Sequence, residues 1–225
     1  KISNENIENA LEKITLGLRS SNSVSEKIKK IRAYNEVGRA IVSAVNNGID
    51  SIDKITILPR SGFIGGYTKL APDDDVISSG LISKKLLLSK IEIALSGRAA
   101  EIVVFGINEI TQYAANNINY STEIAKEMVT KYGFSVIGPV CLDQNNEEIF
   151  LGNSLLKNKS LIADKTSTII DNQIIKLSKE ALANAILKIR NNRSMLEKIV
   201  EVLVDEETID GNRFKELSTN LLKVW

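Results

Sequence analysis

The chain has 225 residues, 43% of them hydrophobic, with 29 basic side chains against 28 acidic ones. This length carries one domain with a real core, and the near-balanced charge gives no general attraction to nucleic acid or to an anionic membrane. A single cysteine, Cys141, excludes an internal disulfide and fits a reducing compartment; no run of about 20 apolar residues exists to insert in a bilayer, and histidine is absent.

Ser25 and Glu26 mark a helix start. Ile28, Ile31, Val37, Ile41, Ala44 and Val45 then form an apolar stripe of helical period, stopped by Asn47-Gly48. Ile55, Thr56 and Ile57 predict a short strand ended by Pro59, followed by a glycine-rich connection over Gly62–Gly66. The spacing of those glycines matches neither a P-loop nor a dinucleotide fingerprint. A long helix is predicted over Ser83–Phe105, with Leu87, Ile91, Ala94, Leu95, Ala99, Ile102 and Val103 inward. Another runs over Asn116–Tyr132, burying Ile118, Ile124, Ala125 and Met128, and Asp143–Glu148 is a polar loop. Asp164–Arg190 carries Ile170, Ile174, Leu177, Ala181, Leu182, Ala185 and Ile189 at helical spacing, and is expected to fold back on Met195–Val204 as a helical hairpin spanning 160–225.

The first helix holds the sequence Tyr-Asn-Glu-Val-Gly-Arg-Ala at Tyr34–Ala40, the outline of H-E-x-x-H with both histidines replaced. In that motif two imidazoles at i and i+4 grip zinc while the glutamate takes a proton from the metal-bound water. Here Asn35 and Arg39 hold the two ligand positions, and only Glu36, the general-base position, is retained. An amide and a permanently cationic guanidinium are unsuited to the ligand role.

Further segments follow in order: K-I-T-I-L-P-R at Lys54–Arg60, G-G-Y-T at Gly65–Thr68, S-G-R-A-A-E-I-V-V-F-G at Ser96–Gly106, A-K-E-M-V-T-K-Y-G-F-S at Ala125–Ser135, G-P-V at Gly138–Val140 and F-L-G at Phe150–Gly152. With Y-N-E-V-G-R-A they resemble the peptidase domain of FtsH-type AAA+ zinc metalloproteases, whose helix reads roughly A-Y-H-E-A-G-H-A. The last third, from Ile170-Asp171 to E-E-T-I-D-G at Glu206–Gly211, resembles the family's closing helices. The family's third zinc ligand is an Asp in a segment like T-T-G-A-x-N-D-L; here T-Q-Y-A-A-N-N-I at Thr111–Ile118 puts Asn117 there. All three ligand positions, Asn35, Arg39 and Asn117, are therefore degenerate.

The resemblance implies a mainly α fold, a helical bundle with a small β-sheet beside the degenerate zincin-like site, in one peptidase-like domain over 1–225. It implies that residues 1–20 close, or link from, an upstream ATPase module, which would hold ATP and magnesium in a longer, membrane-anchored parent of a bacterial inner membrane or a plastid. No zinc is expected in this domain. The expected function is that of a pseudoprotease: a structural or regulatory subunit in a hexameric AAA+ complex of protein quality control, partnered by FtsH-type subunits in a homo- or hetero-oligomer, with unfolded polypeptide as a further partner. Self-association is expected through helical surfaces rather than strand edges. Two alternatives stay open, a functional ATP-dependent metallopeptidase with an unconventional site and a peptide-binding module.

Other residues carry weaker readings. Cys141 has no histidine to pair with and reads as a small core residue. Nothing marks a Ser-Lys dyad. Asp73-Asp74-Asp75 could hold a hard cation but reads as a solvated turn or helix cap. Arg98 and Glu101 read equally as an interface pair or an ordinary exposed pair. The strand Lys54–Leu58 resembles the family's edge strand, where substrate adds through main-chain groups, although covering the core with Ile55 and Ile57 is the preferred role. With the metal and the acidic ligand both gone, the formal charges of Arg39 and Glu36 cancel as those of the family's zinc site do. Arg39 is thus expected to fill the zinc position and pair with Glu36 or bridge toward Asn117, with Asn35 and Asn117 making the remaining hydrogen bonds.

Overall fold

The computed structural model describes residues 25–46, 50–59, 65–72, 78–142 and 163–219, with Ala10, Lys13 and Ile14 near the start. Helix α1 (Glu26–Val45) begins after an extended Ser25 and ends at Asn46, whose N–H still reaches Val42 O at 3.1 Å. It buries Ala33, Val37, Ala40, Ile41, Val42 and Val45, while Ile28, expected inward, is half exposed on the first turn. Strands β1 (Asp50–Thr56) and β2 (Tyr67–Pro72) follow. Helix α2 (Lys84–Phe105) is capped by Ser83, whose side chain accepts from Leu86 N at 3.1 Å, and ends at Gly106 with φ +89°. Residues 91–97 of α2 are buried without a break, so this helix is the central post of the fold.

Two short 3₁₀ turns, Ile107–Glu109 and Gln112–Ala114, lead into α3 (Ala115–Thr130). Then come α4 (Asp164–Asn191), α5 (Arg193–Glu206), β3 (Thr208–Asp210) and α6 (Gly211–Ser218). The sheet is antiparallel in the order β2-β1-β3, with Thr56 opposite Tyr67 on one side and Thr208 on the other. The Lys54–Leu58 strand is therefore central rather than an edge: β3 and the Glu207 carbonyl, which accepts from Ile57 N at 3.0 Å, occupy the side a peptide would need. Strand β3 also interrupts what resembled closing helices, because a left-handed Glu207 (φ +58°) breaks α5 and feeds the chain into the sheet.

Two apolar clusters meet along α2. One joins α1, α5, the sheet and α6 around Ile41, Ile55, Leu196, Leu203 and Phe214. The other joins α2, α3 and α4 around Leu87, Ile91, Met128 and Ala181. Each large aliphatic side chain buried there is worth about 1.5–3 kcal/mol of transfer free energy. The expected α4–α5 hairpin is a joint at Asn192 whose arms diverge: α4 packs on α2, and α5 packs on α1. α5 covers the first cluster, whereas α4 runs across both, giving Ala185 and Ile189 to the first and Ala181 to the second. Cys141 is exposed, not core, since the chain after Gly138-Pro139 runs over the surface. Among the described residues no helix is long and apolar enough to cross a membrane. Asp73-Asp74-Asp75 and the Asp143–Glu148 loop lie outside the described residues.

The site depends on how closely α1 and α2 cross. A Cβ on Gly38 would stand 2.8 Å from Ala100 Cβ and 3.1 Å from Ser96 O. A Cβ on Gly97 would stand 2.5 Å from Asn35 Oδ1. One glycine on each helix permits the contact, which brings Asn35 against Glu101.

Candidate functional site

Glu36 sits on α1 where the helix passes under β2, and only 2% of it is exposed. Its carboxylate accepts from three side chains. Thr68 Oγ1 donates to Oε2 at 2.7 Å, Arg39 Nη1 donates to the same oxygen at 3.2 Å, and Tyr113 Oη donates to Oε1 at 3.1 Å. The Arg39–Glu36 ion pair spans one helical turn, as expected from the sequence, with the guanidinium mostly buried. Three donors from α1, β2 and the turn before α3 thus fix the carboxylate in place.

Tyr113 closes this site. Its hydroxyl accepts from Gly66 N at 2.7 Å while lying within reach of Glu36 Oε1 and Gly66 O, and a Cβ on Gly65 would collide with its ring. The phenol stands over the general-base position and ties it to the β2 entry. Burial pushes the Tyr113 pKa well above its ordinary value, and the Glu36 charge raises it further. Sequence reasoning missed this residue. The signal was present, because Tyr113 occupies the glycine position of the T-T-G-A-x-N-D-L pattern, and a large side chain there must go somewhere.

Asn35 does not join Arg39. It turns the other way, and its Nδ2 donates to Glu101 Oε1 at 2.8 Å and to Ile31 O at 3.2 Å, leaving Oδ1 buried against Gly97 without a partner among the described residues. Glu101 is fully buried, which corrects both readings of Arg98 and Glu101 as a surface or interface pair. It accepts from Thr111 N at 2.9 Å and Thr111 Oγ1 at 2.6 Å as well as from Asn35, while Arg98 Nη1 stands 3.9 Å away. Glu101 thus anchors the turn that carries Tyr113 and Asn117. Asn117 lies at the start of α3, lining two small cavities together with Arg39; among the described residues none hydrogen-bonds its side chain.

The donor set at Asn35, Arg39 and Asn117 does not suit zinc, which needs imidazole, thiolate or carboxylate donors. It offers two neutral amides, one committed to Glu101, and a guanidinium that repels a cation and has no lone pair to give.

The model of peptidase family M41 matches residues 22–217. The chain belongs to this family. Among its relatives, an ATP-dependent zinc metalloprotease FtsH of Cyanidium caldarium is 35% identical over 217 residues, covering 96% of this chain and 34% of the relative. The ATP-dependent zinc metalloprotease FtsH 3 of Synechocystis is 35% identical over 222 residues, 98% of this chain and 36% of its own length. The chloroplastic FTSH 8 of Arabidopsis thaliana is 35% identical over 223 residues, 99% of this chain and 32% of its own. The chain spans about one third of the length of these relatives. It is an FtsH-type peptidase domain, mainly α with a small three-stranded sheet, as the motifs implied.

Proposed function

We propose that this M41 domain is a pseudoprotease: it holds no zinc at Asn35, Arg39 and Asn117, cleaves no peptide bond, and serves a structural or regulatory role. The supporting observation is the Arg39–Glu36 ion pair within a chain that has no histidine. A family member that had kept its chemistry would need a lone-pair donor where Arg39 places a cation, and a free carboxylate where Glu36 is held by Arg39, Thr68 and Tyr113.

In this reading the parent is a membrane-anchored AAA+ subunit whose upstream module binds ATP and magnesium. It takes a place in a hexamer with FtsH-type subunits and assists unfolding, translocation or assembly without cutting. The relatives are named ATP-dependent zinc metalloproteases, one of them chloroplastic, which supports an ATP-dependent parent and a plastid setting.

The test is a zinc determination on purified protein combined with a casein digestion in added zinc. The expected result is sub-stoichiometric metal and no cleavage. Stoichiometric zinc with casein turnover that disappears in Glu36→Gln would overturn the proposal and establish a protease with an unconventional site.

A further inference from the structure

Beside the closed Glu36 site lies a second cavity of about 360 Å³, bounded by α1, β2, α2 and α3. Its charged lining consists of Arg39 and Lys90, both cations, with no acidic side chain among the lining residues. Leu70 and Ile93 supply apolar wall, and Asn117 supplies a carboxamide. Arg39 makes one hydrogen bond, to Glu36, and its Nε is buried with no partner among the described residues. Lys90 makes no ion pair among the described residues. Glu36 neutralises Arg39, so among the described residues Lys90 leaves the lining with one positive charge in excess.

We propose that this cavity is a carboxylate-binding subsite. One carboxylate would cancel the excess charge, and a guanidinium fixed at Nη1 by Glu36 is a planar donor group of the kind a carboxylate matches in shape. The apolar walls lower the local dielectric and strengthen that attraction. The volume lies at the small end of ligand cavities, enough for an acidic side chain or a small diacid and too small for a folded element. The carboxylate has two sources of the same chemistry, a free dicarboxylate or a Glu or Asp side chain on an extended polypeptide. Binding is read without turnover, so the outcome does not depend on whether the domain cleaves.

The experiment is a calorimetric titration of the 225-residue chain at low ionic strength. The ligands are glutarate and two end-blocked tripeptides, Ala-Glu-Ala and Ala-Gln-Ala. The expected result is saturation by at least one carboxylate ligand, with the Glu peptide, if it is the binder, roughly tenfold or more tighter than its Gln counterpart. Saturation by glutarate alone assigns the subsite to a free acid, and tighter binding of the Glu peptide assigns it to polypeptide. Lys90→Gln, a partly exposed position whose change should leave the melting temperature in place, is expected to weaken binding several-fold. Added salt should do the same. Absence of saturation by both carboxylates, equal affinity for the Glu and Gln peptides where glutarate does not bind, or an unchanged affinity in folded Lys90→Gln would each overturn the proposal.

Discussion

Two buried ionic clusters flank the α1–α2 crossing, and they are built differently. At one end, Lys188 of α4 pairs with Glu92 of α2, Lys188 also donates to Asn46, and Asn184 donates to Glu92 at 2.9 Å. Among the described residues, none of the buried side-chain atoms left without a hydrogen-bond partner belongs to this cluster. At the other end are Asn35, Glu36, Arg39, Arg98, Glu101 and Tyr113. Every such orphan among the described residues lies here or beside it: Asn35 Oδ1, Arg39 Nε, Arg98 Nε and Arg32 Nη1, with Arg32 close to Gly65 and near Tyr113. Native interiors satisfy buried polar groups, and exceptions concentrate where a site was shaped for something other than stability. The Glu92 end is a structural network. The Glu36 end leaves four buried donors or acceptors without a partner among the described residues.

The comparison is tested most severely at Arg39. Arg39→Ala strands the Glu36 charge in a place with almost no solvent, and should cost about 3–5 kcal/mol. Thr68 and Tyr113 still donate to the carboxylate, which favours the lower part of that range. Glu36→Ala combined with Arg39→Ala should cost less than the two single changes together. Chemical denaturation of all four proteins measures this directly, and strict additivity would show that the pair is not coupled.

A smaller effect is expected at the other cluster. Lys188→Met removes the cation from Glu92 but leaves the donors Asn184 and Asn46. A cavity of about 590 Å³, lined in part by Glu92, Asn184 and Lys188, gives water a route to the carboxylate. The cost should be about 1.5–3 kcal/mol, the range for a hydrogen bond to a charged group. A loss larger than that of Arg39→Ala would reverse the ranking of the two regions.

The sequence made part of the Glu36 end legible and concealed the rest. Helix α2 was readable because Ser83 is a capping residue and the apolar period runs unbroken to Phe105. The Arg39–Glu36 pair was readable because residues three apart on a helix must meet and their charges are opposite. The direction of Asn35 was not. It depends on the space left by Gly97 and on Glu101, which lies 66 residues away in sequence. Nor was Tyr113 readable as a closing group, since its hydroxyl reaches Glu36 across 77 residues. Strand β3 has three residues, too few to display an alternating pattern, and only its pairing with Lys54, Ile55 and Thr56 defines it. Local rules located the helices and the ion pair, whereas long-range contacts set what each polar group faces.

The smallest effect expected in the comparison is at Tyr113, and pH reveals it. Tyr113→Phe keeps the ring that fills the space over Gly65 but removes the hydroxyl between Gly66 N and Glu36, so the loss at neutral pH should be about 1–2 kcal/mol. The phenol is held above its ordinary pKa of 10.0, first by burial and then by the negative charge of Glu36. The unfolded chain therefore ionises Tyr113 before the folded one does. The stability contributed by the neutral phenol is complete below pH 10.0 and declines as pH rises above it toward the folded value. Tyr34, also raised by burial, adds a decline of the same sign. Urea denaturation between neutral pH and about pH 11 should accordingly show a steeper alkaline loss in the native sequence than in Tyr113→Phe, with the two curves converging at the alkaline end. Parallel curves would mean that the Tyr113 hydroxyl is not sequestered over Glu36, and that the Glu36 end of the molecule is open to water as the Glu92 end is.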